Sequence, residues 1–476
     1  MVVYVVVLIA ISTFFIRKSV ASYEEYAIAS KSLGFVFTFF TYFSTWISGA
    51  TILGLATISF EWGLYQYWFI AVTYIMGAVS GPIFLTRIRE LNVMTIGDFF
   101  ALRYPKEEKL VRLFVSISML VRNVSIIGAQ ITTIAFFVSL GFGIDFTAGL
   151  IMTTVVIVFY TSLSGMWGVA GTDVIQGLIQ IIGLPIMIFY VVQSAGGLTG
   201  IYDFYQQIGG SSYLNIFSGP SKITEIALLF VAPGFFFLIE DQTTWQRVLS
   251  AKSDRVAFWG YLAPLGAALI WILVPALIGV FSKAIFPNFT AYPVAFLEYV
   301  LQLPTGVTLA IMFAIISACF STCDSYLLSS GVIFSQDIVR NIFSWDKNLI
   351  FFTRVGIVLT GGLSLYVSTK IYDIFELYML GAYAGGAVLT VPYLMTWFSK
   401  RATGKGIVGG MLLGAITFSY ICWVQNMGYT YAMLFGMICN FVGVCFISSF
   451  SPPPAEEVVE LTHYFAKRFK NVKNIP

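Results

Sequence analysis

The stretch Ala318-Cys319-Phe320-Ser321-Thr322-Cys323-Asp324-Ser325 sits inside an otherwise oily run from Val307 to Val332. That run is long enough to cross a bilayer as a helix. On a helix, positions i, i+3 and i+4 share one face. Ala318, Ser321 and Thr322 therefore present a backbone carbonyl and two hydroxyls together, and Asp324 and Ser325 follow as a second polar edge. Carbonyl and hydroxyl oxygens with few formal charges suit a small, hard cation such as sodium. Hydroxyls in membrane helices also bond to their own i−4 carbonyl or join two helices. Asp324 favours the functional alternative, because a carboxylate inside a membrane segment is costly and marks a site by default.

Composition agrees with a membrane setting. Hydrophobic residues make up 58% of the 476-residue chain and charged residues 10%, against roughly 25% charged in soluble domains. Mean hydropathy is +0.87. At ~20 apolar residues per crossing, this is an all-α polytopic membrane protein. The net charge of +3 carries no nucleic-acid signal, since the Lys and Arg residues fall in short loops. The only histidine is His463, which removes His-based zinc sites and Ser-His-Asp or Cys-His nucleophile systems. Cys319, Cys323, Cys422, Cys439 and Cys445 all lie in apolar segments, so neither a disulfide framework nor a metal cluster is expected. Val2–Phe15 lacks the positive flank of a secretory signal and reads as a retained, short first helix.

Hydropathy and punctuation predict thirteen transmembrane helices: 2–16, 35–60, 65–86, 110–139, 146–163, 172–194, 224–246, 255–283, 304–336, 348–368, 372–397, 403–424 and 429–450. With the N-terminus outside and the C-terminus cytoplasmic, all but four of the 26 Lys and Arg fall on the cytoplasmic side, as the positive-inside rule requires. The exceptions are Lys222, Lys283, Lys370 and, within a helix, Arg122. The second crossing is interrupted at Ser44-Thr45-Trp46-Ile47-Ser48-Gly49-Ala50-Thr51, where small and hydroxyl residues allow unwinding beside a cavity. The seventh has a similar interruption at Ala232-Pro233-Gly234, followed by Glu240-Asp241-Gln242. Each alone is commonly a packing glycine or a proline kink. A pair five helices apart points to an inverted repeat of crossings 2–6 and 7–11. One transporter domain is thus expected over 1–450, with repeats at 35–194 and 224–397 and two peripheral helices at 403–450. Residues 451–476 form a cytoplasmic tail, read as a membrane-surface helix. Ser164–Asp173 reads as a tight Gly-rich turn, with Asp173 either capping the sixth helix or acting as a cation ligand near Ser325. Met94–Tyr104 reads as an interfacial helix.

Several separated motifs, in order, resemble the sodium:solute symporter family. They are YAIASKSLG (26–34), TIGDFFALRY (95–104), GVAGTDVIQG (168–177), DQTTWQRVLSAKS (241–253) and AIISACFSTCDS (314–325). The resemblance spans about Tyr23 to residue 450 and implies a LeuT-type five-plus-five fold with the solute held at mid-membrane. It places a main sodium on the carbonyls of Ser44, Ile47 and Ala318 and the hydroxyls of Ser321 and Thr322. An additional sodium position of some branches would fall on Asp173, Ser321, Asp324 and Ser325. Asp324 stands where those relatives have a neutral hydroxyl residue, so it either strengthens cation binding or carries a proton.

By the same resemblance, solute contacts would fall on Ser48, Gly49 and Thr51 of the second crossing and on Asp241. Polar positions of sugar and sialic-acid carriers fall here on Ile70 and Ile126, which implies a smaller, more apolar pocket. Arg122 lies about 20 Å along its helix, near mid-depth. There it either pairs structurally with Asp173 or Asp324, or faces the cavity with Asp241 and favours a carboxylate or zwitterion. The expected function is sodium-coupled symport of a small organic solute, a carboxylate or amino acid rather than a sugar, by a monomeric protein of the cell membrane. Its partners are that solute and lipid, not nucleic acid, and it is not an enzyme. A transporter-like sensor, a sugar symporter and a leak channel are the alternatives.

Overall fold

The computed structural model describes residues 2–217, 238–288, 292–371 and 373–464. The spans that frame the site are α1 (Val2–Ser19), the pair α2 (Phe35–Trp46) and α3 (Gly49–Trp62), α4 (Tyr67–Leu91), the short α5 (Ile96–Arg103), α6 (Glu108–Phe142) and α7 (Phe146–Ser194). They continue with α8 (Gln242–Ser250), α9 (Asp254–Trp271), α10 (Leu273–Ile285), α11 (Thr305–Val332) and α12 (Leu349–Ser368). The chain closes with α13 (Ile374–Gly385), α14 (Val391–Phe398), α15 (Gly404–Trp423) and α16 (Tyr429–Ser449). Among the described residues, nine helices are long and apolar enough to cross a membrane, or ten if the bent pair α2–α3 is one span. Thirteen is not reached among them. The expected crossing 224–246 falls largely outside the described residues, as do its Ala232-Pro233-Gly234 interruption and the tail beyond Tyr464.

The outside is apolar and the inside carries the polar groups. Ile182, Phe189, Ile416 and Phe446 are each more than 60% exposed, whereas Ser44, Asp173, Ser321 and Asp324 are fully buried. In water that arrangement would expose large apolar patches. In hydrocarbon it is the stable one, because polar side chains find partners only in the interior. At its centre α11 packs on α7 and α6, and α2 packs on α7 and α9.

Two local expectations are refined. The turn expected over Ser164–Asp173 is a break at one residue: the two helical parts of α7 meet at Gly165 (φ 50°, ψ −142°). A side chain there would meet the Tyr26 carbonyl at 2.3 Å, so the kink and the close contact both require glycine. Asp173 is consequently well inside a helix and caps nothing. The Met94–Tyr104 segment does form a helix, α5, opened by a capping box between Thr95 and Asp98. Most of its residues are buried against the rest of the protein. Asp98 and Asp337 both bind Arg112, at 2.5 and 3.0 Å, which ties α5 to α6 and to a π-helical stretch, Ile333–Ile342, that prolongs α11.

Candidate functional site

The membrane helix containing α2 and α3 breaks where hydroxyl and small residues cluster. Ile47 (φ −89°, ψ 70°) and Ser48 (φ −76°, ψ 163°) leave helical geometry. Ser48 then caps α3 by accepting the Thr51 amide at 2.9 Å, and the two halves meet at a 41° bend. Gly49 is dictated by contact: a Cβ would lie 2.0 Å from Cys319 Sγ, so only glycine lets the break touch α11. The freed carbonyls at the end of α2 carry the negative end of its dipole.

α11 stays helical opposite this break. Ser321 Oγ donates to the carbonyls of Ser44 (2.9 Å) and Ala318 (3.1 Å). Thr322 Oγ1 donates to those of Thr45 and Ala318, both at 3.0 Å. Two hydroxyls and three carbonyls from separate elements thus converge in a buried space. Ile47 lies at the break itself and is fully buried. The Thr45 carbonyl joins the group although the sequence did not single it out. Among the described residues no set of three His, Cys, Asp or Glu side chains could hold a metal ion. The donor set here is neutral oxygen, which fits an alkali cation.

A second cluster adjoins the first. Asp173 accepts hydroxyls from Thr41 and, at 3.0 Å, from Ser44. Asp324 accepts Tyr160 (3.0 Å), Thr172 (3.4 Å) and the neighbouring Ser325 (3.4 Å). Arg247 of α8 enters between them. Its Nε donates to Thr41 Oγ1 (3.1 Å), Nη1 to the Thr243 carbonyl (3.0 Å), and Nη2 to Thr45 Oγ1 (2.7 Å) and Ser325 Oγ (2.6 Å). All three charged groups are almost completely buried.

On the other side of Thr322 a cavity of about 100 Å³ opens, bounded by the rings of Trp46, Phe69, Tyr74, Tyr326, Tyr378 and Tyr383. Ile70 and Ile126 line it, as do Ser48 and Asp241. Thr51 sits one step behind, with its hydroxyl 2.9 Å from that of Ser48, and Gly49 packs against Cys319 rather than facing the cavity. Arg122 is not in the lining. Its Nη2 donates to Asp241 Oδ2 (2.7 Å), which also accepts Tyr326 (2.8 Å). Oδ1 of Asp241 caps α8 by accepting the Thr243 amide at 2.7 Å. Of the two pairings expected for Arg122, the structure has it on Asp241 and has Arg247, not Arg122, beside Asp173 and Asp324.

Sequence reasoning missed Arg247, Thr41, Thr45, Tyr160 and Thr172. Arg247 was visible as a cation beside Gln246, but nothing local indicates that its partners lie on α2, 206 and 202 positions away, and on α11, 78 positions away.

A family model described as the sodium:solute symporter family matches residues 26–414. The high-affinity proline transporter PutP of Bacillus subtilis is 26% identical over 470 residues, covering 94% of this chain and 97% of that protein. The sodium/pantothenate symporter of Escherichia coli is 26% identical over 455 residues, covering 90% and 91%. Among solved structures, a Na+-coupled sialic acid symporter in a substrate-bound outward-open state superimposes with a TM-score of 0.77 at 16% identity, covering 95% of this chain and 97% of that one. Mhp1, a nucleobase-cation-symport-1 family transporter in a closed conformation, matches at 0.58 and 13%, covering 92% and 97%.

Proposed function

From the premise that this chain belongs to the sodium:solute symporter family, we propose how it binds its ion and what kind of solute it carries. The chain is a multi-pass membrane transporter, not an enzyme. It couples sodium to the movement of a small solute on a LeuT-type helical fold. In our reading the main sodium lies between the break and α11. Its ligands are the carbonyls of Ser44, Ile47 and Ala318, with that of Thr45 within reach, and the hydroxyls of Ser321 and Thr322. A second cation uses Asp173, Asp324 and Ser325. The observation that carries this is the pair of α11 hydroxyls bonded across the gap to carbonyls at the end of α2. A sodium ion replaces those hydrogen bonds with ion–oxygen contacts and draws the two elements together. Occupancy then stabilises the state in which the cavity is complete, which is coupling by differential binding to two states.

For the solute we propose a small zwitterion of amino-acid type. Its carboxylate meets Ser48, which lines the cavity at the positive end of the half-helix α3. Its ammonium lies against the tyrosine and tryptophan rings, and its apolar body against Ile70 and Ile126. Asp241 contributes less charge than its type suggests, because Arg122, Tyr326 and Thr243 already satisfy it. That proline and pantothenate carriers are among the relatives is in keeping with a compact carboxylate-bearing solute. We place the protein in the cell membrane as a monomer in lipid, N-terminus outside and C-terminus cytoplasmic. The test is a sodium-dependent thermal-shift screen of amino acids, monocarboxylates, betaines and sugars, followed by uptake into proteoliposomes. An amino acid that stabilises the protein only with sodium is the expected result, and a response confined to sugars would refute the solute assignment.

A further inference from the structure

Arg247 contacts Asp173 and Asp324 only through hydroxyls. On one side Thr41 Oγ1 accepts from Nε (3.1 Å) and donates to Asp173. On the other Ser325 Oγ accepts from Nη2 (2.6 Å) and donates to Asp324 (3.4 Å). The arginine is therefore near both carboxylates without being consumed by either. Two buried carboxylates repel each other and are costly without compensation. One guanidinium supplies half of what they need. With both carboxylates ionised, the remainder is one negative charge, fully buried and beside hydroxyls suited to a cation.

We propose that Arg247 is the built-in cation of the second ion position: it neutralises one of the two charges of Asp173 and Asp324, so that the position admits a single monovalent ion. The inference rests on the reading of Asp173, Asp324 and Ser325 as an ion site and adds what limits its occupancy. Three features of the geometry bear on it. Ser325 Oγ is shared between the guanidinium and the cation, so each senses the other through one oxygen. Thr45, held by the same Nη2 (2.7 Å), also offers its carbonyl to Thr322, so the arginine borders the main site as well. And α8 carries Asp241 at its start, which connects the guanidinium by one short helix to the solute cavity.

The test is radioactive sodium binding to the purified full-length protein without solute, read as ions per chain and half-saturation. Asp324→Asn should bind one ion fewer than the wild type. Combining it with Arg247→Gln restores the fixed charge to one negative and should recover that ion. Arg247→Lys, which keeps the charge, should bind as many ions as the wild type. Arg247→Gln alone should tighten the second ion. The increase is on the order of a hundredfold, for a unit charge removed about 6 Å away at an effective dielectric constant of about 20. If Asp324→Asn binds as many ions as the wild type, the ion-site reading fails. If it loses the ion but the double variant does not regain it, or Arg247→Lys loses it too, that reading stands and the charge-limiting role of Arg247 is refuted. Each variant is first checked for a monodisperse elution profile. Should Arg247→Gln not fold alone, the double variant and the lysine variant still decide the matter.

Discussion

Thr322→Ala is the most direct perturbation of the main ion site. Thr322 is 2% exposed, and its hydroxyl makes two bonds of 3.0 Å, one within α11 to Ala318 and one across to Thr45. Alanine keeps the helix and removes only the oxygen and one methyl group. Without sodium, the loss is one hydrogen bond between elements, about 0.5–1.5 kcal/mol of stability. With sodium, the loss is an oxygen facing a full charge. Interactions with charged groups contribute ~1.5–3 kcal/mol, so the sodium concentration for half-maximal uptake should rise by roughly ten- to a hundredfold. The assay is solute uptake into proteoliposomes at saturating solute across a sodium series, with sodium-induced thermal stabilisation as an equilibrium check. Thr322→Ser restores the hydroxyl and should return the half-saturation to within about threefold of the wild type. An unchanged sodium dependence in the alanine variant, with normal expression, would refute the assignment of this oxygen cluster.

Other substitutions probe the supports of the site. Gly49→Ala should impair folding and transport, since its Cβ would lie 2.0 Å from Cys319 Sγ; overpacking of this kind costs about 1–3 kcal/mol. Adding Cys319→Ala should recover part of the yield, and no recovery would mean the clash lies elsewhere. Asp241→Asn removes the negative charge that faces the buried Arg122 at 2.7 Å and should destabilise the protein by ~3–5 kcal/mol, read by thermal unfolding; a variant as stable as the wild type would show that this charge is dispensable. Asp98→Asn removes one of the carboxylates on Arg112 and weakens the cap of α5. Faster amide exchange across Ile96–Arg103 is expected, with exchange elsewhere unaffected.

The hydroxyl face of α11 and the broken second crossing were legible because both are local: a spacing on one helix, and a run of small residues in an aromatic segment. Asp324 stood out through the cost of a carboxylate in oil. The cavity's apolar character could also be read, from Ile70 and Ile126. What could not be read is pairing. Arg122 and Arg247 are both arginines in apolar surroundings, and only packing decides that the first meets Asp241 while the second sits between Asp173 and Asp324. The turn expected at 164–173 narrows to one residue for a related reason. Its glycines suggested a loop, but only Gly165 departs from helical geometry, and the others pack inside α7. The interruption expected at residues 232–234 lies outside the described residues.

The π-helical stretch Ile333–Ile342 has a mechanical consequence. Wider turns of this type hold an additional residue per hydrogen-bonded loop, and in an α-helix one residue corresponds to about 100° of rotation. Tightening a single turn there would swing everything beyond it by that angle, carrying Asp337 away from Arg112 and Thr95. The end of the helix that carries Ser321 and Thr322 is thus wound like a slackened spring, with its catch on α5 and α6. A small twist at mid-membrane has a route to undoing a clasp about four helical turns away.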